Sequence, residues 1–166
     1  MTDTNAADKN AYPTLFSPIR IDSLELPNRA VVAPMTRTSA YENGCPTAQM
    51  VEYYQRYARG GFGLVITEGT YTDTAHSQGY FQQPGIATDE QAAAWQPVVD
   101  GVHDAGARIV VQLMHAGAQG QHDGSTNVAP SAVRPHGQMN PIYHNSGDYP
   151  MPQALTEAGI IEIIDG

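Results

Sequence analysis

Three short runs of mostly apolar, β-branched residues constrain the fold more than any other feature of this chain. They cover residues 30–35, 64–67 and 108–114. Such runs are typical of strands that are buried on both faces of a parallel sheet. We therefore predict three buried strands, the first ending at Pro34, because proline has no N–H to donate to a central ladder.

Helical spacing of apolar residues fills both intervals between the predicted strands. The first helix should begin at a Thr47 cap and end at Gly60. The second should open at Thr88, which has capping-box spacing to Gln91, and Pro97 should kink it. Strands that alternate with helices in this way predict parallel pairing.

The segments outside this core have different patterns. Residues 1–14 are predicted to be a disordered tail, and residues 19–26 a small hairpin around a turn-prone Asp-Ser pair. Residues 117–152 are rich in glycine, proline, asparagine and serine without a sustained period, which indicates a long excursion, functional or partly ordered by short strands. Residues 155–164 resume an apolar run and are predicted to start another helix.

Charge and cysteine content exclude several classes of function. Eight basic and seventeen acidic residues give a net charge of -9, and Lys9 is the only lysine, so nucleic acid is not an expected partner. Cys45 is the only cysteine and cannot form an internal disulfide. The start of the chain is polar, and no apolar run is long enough for a membrane span. We expect a cytoplasmic protein without a membrane partner.

Periodicity alone leaves two folds open, a doubly wound sheet or a barrel of the (β/α)8 type, which needs about 250 residues. A dinucleotide fingerprint would place glycines at the start of the helix that follows the first strand. Gly60, Gly61 and Gly63 instead precede a strand, where they fit helix termination and tight turning. The sequence therefore argues against a dinucleotide-binding motif of that kind.

Polar residues at the carboxyl ends of the predicted strands are the candidates for a ligand site. Gln112 shares a strand face with Val110 and Met114, and its amide could bind the edge of a planar heterocycle or be satisfied by nearby backbone. Thr36 could bind a ligand carbonyl or cap a turn. Gly69 could admit a flat ligand or serve a turn. The residues themselves do not decide between these alternatives.

Metal binding and nucleophilic catalysis are not supported by the spacing of histidine and cysteine. His115 follows the third predicted strand, but His122 lies seven positions later in a loop, and no recognised metal-ligand spacing occurs. A structural histidine is the favoured interpretation. No patterned partner accompanies Cys45 either.

A set of short motifs resembles the Old Yellow Enzyme family of FMN-dependent oxidoreductases in both order and spacing. The motifs lie at residues 15–18, 27–29, 33–37, 52–54, 67–69, 84–86 and 111–117. The resemblance implies a single (β/α)8 barrel with FMN at the carboxyl ends of its strands. Residues 15–166 would then be the N-terminal portion of that barrel, with the 19–26 hairpin as a plug beneath it and the long excursion as a capping region.

The resemblance also implies roles for individual residues around the flavin. The backbone around Ala33, Pro34 and Met35 would line one face of the isoalloxazine ring. Thr36 would hydrogen-bond near its C4 carbonyl and tune its reduction potential. Gly69 would leave space beside the ring.

Two further residues complete the implied site. Gln112 would bind the pyrimidine edge of the flavin, and Tyr80 resembles an aromatic residue that flanks the substrate. The implied reaction passes hydride from NAD(P)H through FMN to the activated C=C of an α,β-unsaturated carbonyl compound. The flavin carries the redox chemistry, and the protein must orient and polarise the substrate and supply a proton.

Part of that equipment does not occur in these 166 residues. The family's proton-donor motif on the fourth barrel strand, which resembles His-x-Ala-His-Gly-Tyr, is absent, as are the later arginine and the phosphate-binding loops. We therefore expect the chain to supply part of a flavin site and to need a complementary C-terminal half for full activity. The alternatives are a non-catalytic half-barrel that dimerises or binds a partner, and an inactive truncated product.

Overall fold

A three-stranded parallel sheet lies at the centre of the computed structural model, which describes residues 11–122 and 126–165. Strands β3 (Val31–Val32), β4 (Leu64–Tyr71) and β5 (Arg108–Met114) pair in that order, and both pairings are parallel. The predicted order and direction are confirmed. The bounds differ, because β3 is shorter and β4 longer than predicted. After Val32 the chain leaves the ladder ahead of Pro34, which cannot donate to it.

A small hairpin precedes the sheet, as the sequence predicted. Strands β1 (Ile19–Ile21) and β2 (Leu24–Leu26) are antiparallel, with Ile19 opposite Leu26. Asp22 lies in the turn with a φ of 50°, a left-handed conformation that aspartate tolerates better than most residues. The local turn chemistry is therefore sufficient to place this element.

Helix α1 (Ala48–Arg59) joins β3 to β4 and has the predicted bounds. The Thr47 hydroxyl accepts a hydrogen bond from Met50 N at 3.3 Å, which satisfies one of the unpaired amides of the first turn. Met50, Tyr54 and Ala58 are buried along one face. The helix thus packs by the stripe that its periodicity predicted.

The predicted kinked helix between β4 and β5 is two helices. They are α2 (Asp89–Ala94) and α3 (Gln96–Asp104), and they meet at Trp95. Pro97 lies in the first turn of α3, where a missing N–H costs no intrahelical hydrogen bond. Proline therefore starts a new helix here and does not bend a continuous one.

The capping box predicted at Thr88 forms only in part. The Thr88 hydroxyl accepts from Gln91 N at 3.2 Å, as the spacing predicted. The Gln91 side-chain oxygen, however, accepts from Ala87 N at 2.8 Å, and its amide nitrogen donates to Tyr71 Oη at 2.6 Å. The side chain is buried and serves long-range contacts that the local pattern could not indicate.

The main core lies between the helices and the sheet. Its largest buried members come from α1, from α3 and the residue before it, and from the first two parallel strands: Val32, Met50, Tyr54, Val65, Trp95, Val98 and Val102. β5 contributes less, since Val110 and Val111 are each 40% exposed and Leu113 is 61% exposed. Among the described residues, β5 pairs with β4 alone, so its other edge is open.

The segment after β5 is a long excursion with short elements. Strands β6 (Val128–Ala129) and β7 (Gln153–Ala154) pair in parallel, and helix α4 (Glu157–Asp165) follows. The predicted partial order by short strands is confirmed. Of the predicted tail, residues 11–14 form turns and residues 1–10 lie outside the described residues. No helix of the described chain is long and apolar enough to cross a membrane.

Candidate flavin site

The candidate residues lie at the carboxyl-terminal end of the parallel sheet, where β3, β4 and β5 all end. The segment after β3 leaves Ala33, Met35 and Thr36 exposed, and Pro34 half-buried. Gln112 is also exposed, although it lies within β5. Exposed apolar and polar groups therefore lie together at the edge where parallel α/β folds bind ligands.

Thr36 and Tyr80 are joined by a hydrogen bond across this edge. Tyr80 Oη donates to Thr36 Oγ1 at 3.3 Å, and the tyrosine is only 4% exposed. Burial raises the pKa of Tyr80 to about 12, against a lowering effect of the Thr36 bond. Tyr143, from the long excursion, stacks on the Tyr80 ring with centroids 4.7 Å apart. Tyr80 is thus a neutral donor that is fixed beside Thr36.

Gln112 lies opposite Gly69 where the register of β4 shifts. Val110 pairs with Ile66 and Gln112 pairs with Gly69, so β4 has a bulge between the two pairs. The Gln112 backbone N–H donates to Thr67 Oγ1 at 3.1 Å. Its side chain shares a face with Gly69, as expected for paired residues of neighbouring strands. The bulge in β4 therefore determines which β4 residue lies opposite Gln112 near the end of β5.

Gly69 is covered by a side chain from β5. A Cβ at this position would lie 2.4 Å from Met114 Sδ and 3.2 Å from Met114 Cβ. Gln83 completes the contact, since its Nε2 donates to Gly69 O at 2.8 Å. The glycine therefore allows Met114 to approach closely. A contact between Gly69 and a ring of the cofactor stays a prediction.

Glu68 is a buried carboxyl directly behind the segment that contains Thr36. It is 1% exposed, its Oε2 accepts from Arg37 N at 2.8 Å, and its Oε1 accepts from Tyr54 Oη at 3.1 Å. Burial raises the pKa of this carboxyl, against lowering effects of the bonds from Arg37 and Tyr54. Both oxygens of the carboxyl are therefore hydrogen-bonded, one to Arg37 and one to Tyr54.

The backbone immediately after Arg37 is strained. Thr38 has a φ of 51°, and a β-branched residue in the left-handed region is a genuine outlier that costs about 1–3 kcal/mol. Thr38 Oγ1 and Ser39 Oγ both donate to Arg37 O, at 2.7 and 2.9 Å. The Arg37 guanidinium carbon lies 4.4 Å from the centre of the Tyr53 ring. Surrounding contacts thus hold the segment in an unfavourable conformation.

Asp73 and His115 connect the loops that follow β4 and β5. Asp73 Oδ2 lies 3.9 Å from His115 Nε2, and neither buried atom has a hydrogen-bond partner among the described residues. The other ring nitrogen, Nδ1, accepts a hydrogen bond from Gly117 N at 3.0 Å. The pair is therefore arranged for an electrostatic contact between neighbouring loops.

Sequence reasoning missed several of these residues. Glu68 carried a signal, because a carboxylate within a buried strand needs a partner as much as Gln112 does. Asp73 precedes amides that it caps locally, a pattern that the sequence can indicate. Tyr143 carried none, because its contact with Tyr80 depends on how the long excursion folds back.

The donor set fits part of a flavin. Ala33 and Met35 offer an exposed apolar surface, and the Thr36 hydroxyl and Gln112 amide can both donate and accept at its margin. A planar heterocycle with a polar edge, such as the isoalloxazine of FMN, requires this combination. The fit concerns one side of the ring only.

Comparison with known proteins identifies the family. Residues 14–166 match the model of the NADH:flavin oxidoreductase / NADH oxidase family. The chain is 40% identical over 157 residues to putative 12-oxophytodienoate reductase 4 of Oryza sativa subsp. japonica, covering 91% of this chain and 39% of that protein. It is 37% identical over 150 residues to chanoclavine-I aldehyde reductase of Penicillium roqueforti, covering 88% and 38%.

Solved structures agree with this match. The Old Yellow Enzyme homologue from Zymomonas mobilis superposes with a TM-score of 0.81 at 36% identity, over 92% of this chain and 42% of that one. Morphinone reductase gives 0.80 at 36% identity, over 91% and 42%. The chain belongs to the NADH:flavin oxidoreductase / NADH oxidase family of the Old Yellow Enzyme type, and its fold is a partial (β/α)8 barrel. It spans about two fifths of the length of these relatives.

Proposed function

We propose that this chain supplies one side of the FMN site of an NAD(P)H-dependent reductase that acts on activated alkenes. The alkene of an α,β-unsaturated carbonyl compound is the proposed acceptor. Full activity requires a complementary segment that provides the remaining barrel strands. The relatives named as reductases of 12-oxophytodienoate and chanoclavine-I aldehyde support a reductase of small organic molecules.

The observation that carries the proposal is the convergence of Thr36, Tyr80 and Gln112 at one sheet edge. The Thr36–Tyr80 hydrogen bond joins the segment after β3 to the loop after β4, and Gln112 lies on β5 beside Gly69. Thr36 follows β3 and Gln112 lies near the end of β5, where Ala33 and Met35 are also exposed, and this supports the proposal. A ligand with one flat face and one polar edge fits this arrangement.

The residues of the chain bind and orient in this proposal. Residues 33–35 support one face of the isoalloxazine ring, Thr36 binds near its C4 carbonyl, and Gln112 binds its pyrimidine edge. Because Tyr80 donates to Thr36 Oγ1, the Thr36 proton stays free to point toward the ligand. On the proposed substrate side, the half-buried Tyr143 ring stacks on the buried Tyr80, so Tyr80 would contact a substrate only if Tyr143 moves. Bound FMN supplies hydride transfer from NAD(P)H to the alkene.

Reconstitution tests this function. The chain is co-expressed with the C-terminal part of the Zymomonas mobilis homologue, and flavin absorbance and oxidation of NADH and NADPH with 2-cyclohexen-1-one are measured. We expect the complex to retain FMN and, with oxygen removed, to oxidise more than one equivalent of the nicotinamide only when the enone is present. A folded complex that retains no flavin would contradict the proposal.

A matched pair of variants makes the test specific. Gln112→Leu should weaken FMN binding roughly tenfold, because a hydrogen bond to the ring edge is lost. Gln119→Leu, at an exposed glutamine in the turn after β5, is the control and should bind FMN as the native chain does. Equal loss in both variants would assign the effect to stability and not to flavin contact.

A second candidate is a non-catalytic half-barrel that associates with another copy through its open edge. The exposure of Val110, Val111 and Leu113 on β5 favours it, since an unpaired apolar edge strand promotes pairing. Light scattering and FMN titration on the isolated chain distinguish the two candidates. A stable dimer that retains flavin without a complementary segment would favour the half-barrel.

A further inference from the structure

We propose that Glu68 is a positioning residue of the flavin site, which holds the segment containing Thr36 in its binding conformation through the Arg37 backbone. The inference rests on the proposed function, because it concerns the site that Thr36 helps to form. Glu68 itself is 1% exposed and lies behind that segment. It therefore acts through Arg37 and not by contact with a ligand.

Tyr54 fixes Glu68 through hydrogen bonds to both its side chain and its backbone. Tyr54 Oη donates to Glu68 Oε1 at 3.1 Å and accepts from Glu68 N at 3.0 Å, so the phenol holds both the side chain and the backbone of the same residue. Tyr54 is itself 1% exposed in α1 and packs edge-on against Tyr53 at 5.1 Å. The anchor is part of the rigid core, and this leaves Oε2 in a constant position.

The constant position of Oε2 matters because the segment it binds is strained. Arg37 N donates to Oε2 at 2.8 Å, directly before Thr38 with its φ of 51°. Left-handed backbone at a β-branched residue persists only where the surroundings determine it. A hydrogen bond to a carboxylate is about twice as strong as one between neutral groups, which suits it to this task. The anchored N–H belongs to the peptide bond that joins Thr36 to Arg37, so Thr36 is held directly.

Removing the carboxylate should release the Arg37 amide without opening the whole core. In the flavin-free chain, native-state hydrogen exchange at Arg37 N should be roughly tenfold to hundredfold faster in Glu68→Leu than in the native chain. Glu68→Gln restores one acceptor and should give an intermediate rate. The amide of Val102 in the buried part of α3 reports global opening and is the internal reference.

Gln91→Leu is the matched control for loss of a buried, hydrogen-bonded polar side chain. Gln91 is 3% exposed and ties residues 43 and 87 to the core, away from the segment that Glu68 holds. Its removal should leave exchange at Arg37, measured relative to Val102, unchanged.

If Glu68→Leu does not fold, Tyr54→Phe removes the anchor while it keeps the carboxylate, and Arg37 exchange should again rise relative to Val102.

Flavin binding supplies the second measurement. In the reconstituted complex, Glu68→Leu should raise the FMN dissociation constant roughly tenfold or more, and Gln91→Leu should not. A complex that never binds FMN would refute the proposed function, while the exchange data would still decide whether Glu68 holds Arg37. Unchanged relative exchange at Arg37 in folded Glu68 variants, or an equal increase in Gln91→Leu, would overturn the positioning role.

Discussion

Met114 packs over Gly69 so closely that a methyl group added there would force the Met114 side chain to move. A Cβ at Gly69 would lie 2.4 Å from Met114 Sδ. Gly69→Ala should therefore lower the free energy of unfolding by about 1–3 kcal/mol, as overpacking of a close contact does. Urea denaturation measures the change.

A double-mutant cycle identifies the cause. Met114→Ala removes Sδ, the atom that the new methyl group would meet at 2.4 Å, and keeps Cβ at 3.2 Å, so Gly69→Ala should cost less in that background than in the native chain. If Gly69→Ala costs the same in both backgrounds, the contact with Met114 is not the reason for glycine at this position.

Asp73 should make stability depend on pH in the acid range. Burial raises the pKa of its carboxyl, but hydrogen bonds from His76, Ser77 and Ala75 outweigh that effect, and the pKa lies below the usual 3.8. A carboxyl with a lowered pKa in the folded state stabilises the fold above its unfolded pKa. That contribution is lost as the pH falls through the folded pKa.

The test compares the native chain with Asp73→Asn by urea denaturation at several pH values. The stability difference in favour of the native chain should be constant at neutral pH and should shrink as the pH falls below about 4 and through the lowered pKa of Asp73. Asp100→Asn, at an exposed position on α3, controls for the loss of one negative charge. A difference that stays constant over that window would contradict the prediction.

At the scale of the element, the stability of α1 depends on its N-cap residue, Thr47. Thr47 Oγ1 accepts from Met50 N and donates to Ser39 O at 2.8 Å, so it caps the helix and ties it to the preceding loop. Thr47→Ala should lower the free energy of unfolding by about 1 kcal/mol, measured by urea denaturation. Thr47→Ser keeps both bonds and should retain most of the stability. An equal loss in both variants would show that the hydroxyl is not responsible.

The elements that sequence predicted correctly are those that local chemistry determines. The Thr47 cap and the buried β-branched runs identified α1 and the order of the parallel strands. Their bounds depended on partners elsewhere in the chain. β4 continues to Tyr71 because β5 pairs with it as far as Met114, and only the three-dimensional contact shows this.

The residues of the candidate site also divide into those that the sequence could indicate and those that only the fold shows. Thr36 and Gln112 could be selected from the sequence because Thr36 follows one apolar run and Gln112 is a polar residue within another. The network around Glu68 was not, since α1, β4 and the segment after β3 meet only in the folded chain. Contacts between distant segments determine which polar residue faces a ligand and which one fixes the backbone.

At the scale of the whole molecule, β3 and β5 are the two outer strands of the described sheet, and β5 exposes the larger apolar surface. β3 and β4 lie under α1 and α3, whereas β5 exposes Val111 by 40% and Leu113 by 61%. Edge strands with exposed apolar side chains promote pairing with other chains unless charge or a covering element prevents it. We therefore expect this edge to be the surface through which the isolated chain self-associates, and the proposed complementary segment would pair at the same edge.

Leu113→Lys tests this use of the edge, because a lysine on an edge strand disfavours pairing. We expect the isolated chain to self-associate and the variant to do so less, as measured by static light scattering over a concentration series. The net charge changes from -9 to about -8, so reduced association cannot come from stronger overall repulsion. Ile142→Lys makes the same charge change at a residue that is 65% exposed in the long excursion, and it should associate as the native chain does. Equal scattering from the native chain and both variants would place the association surface away from β5.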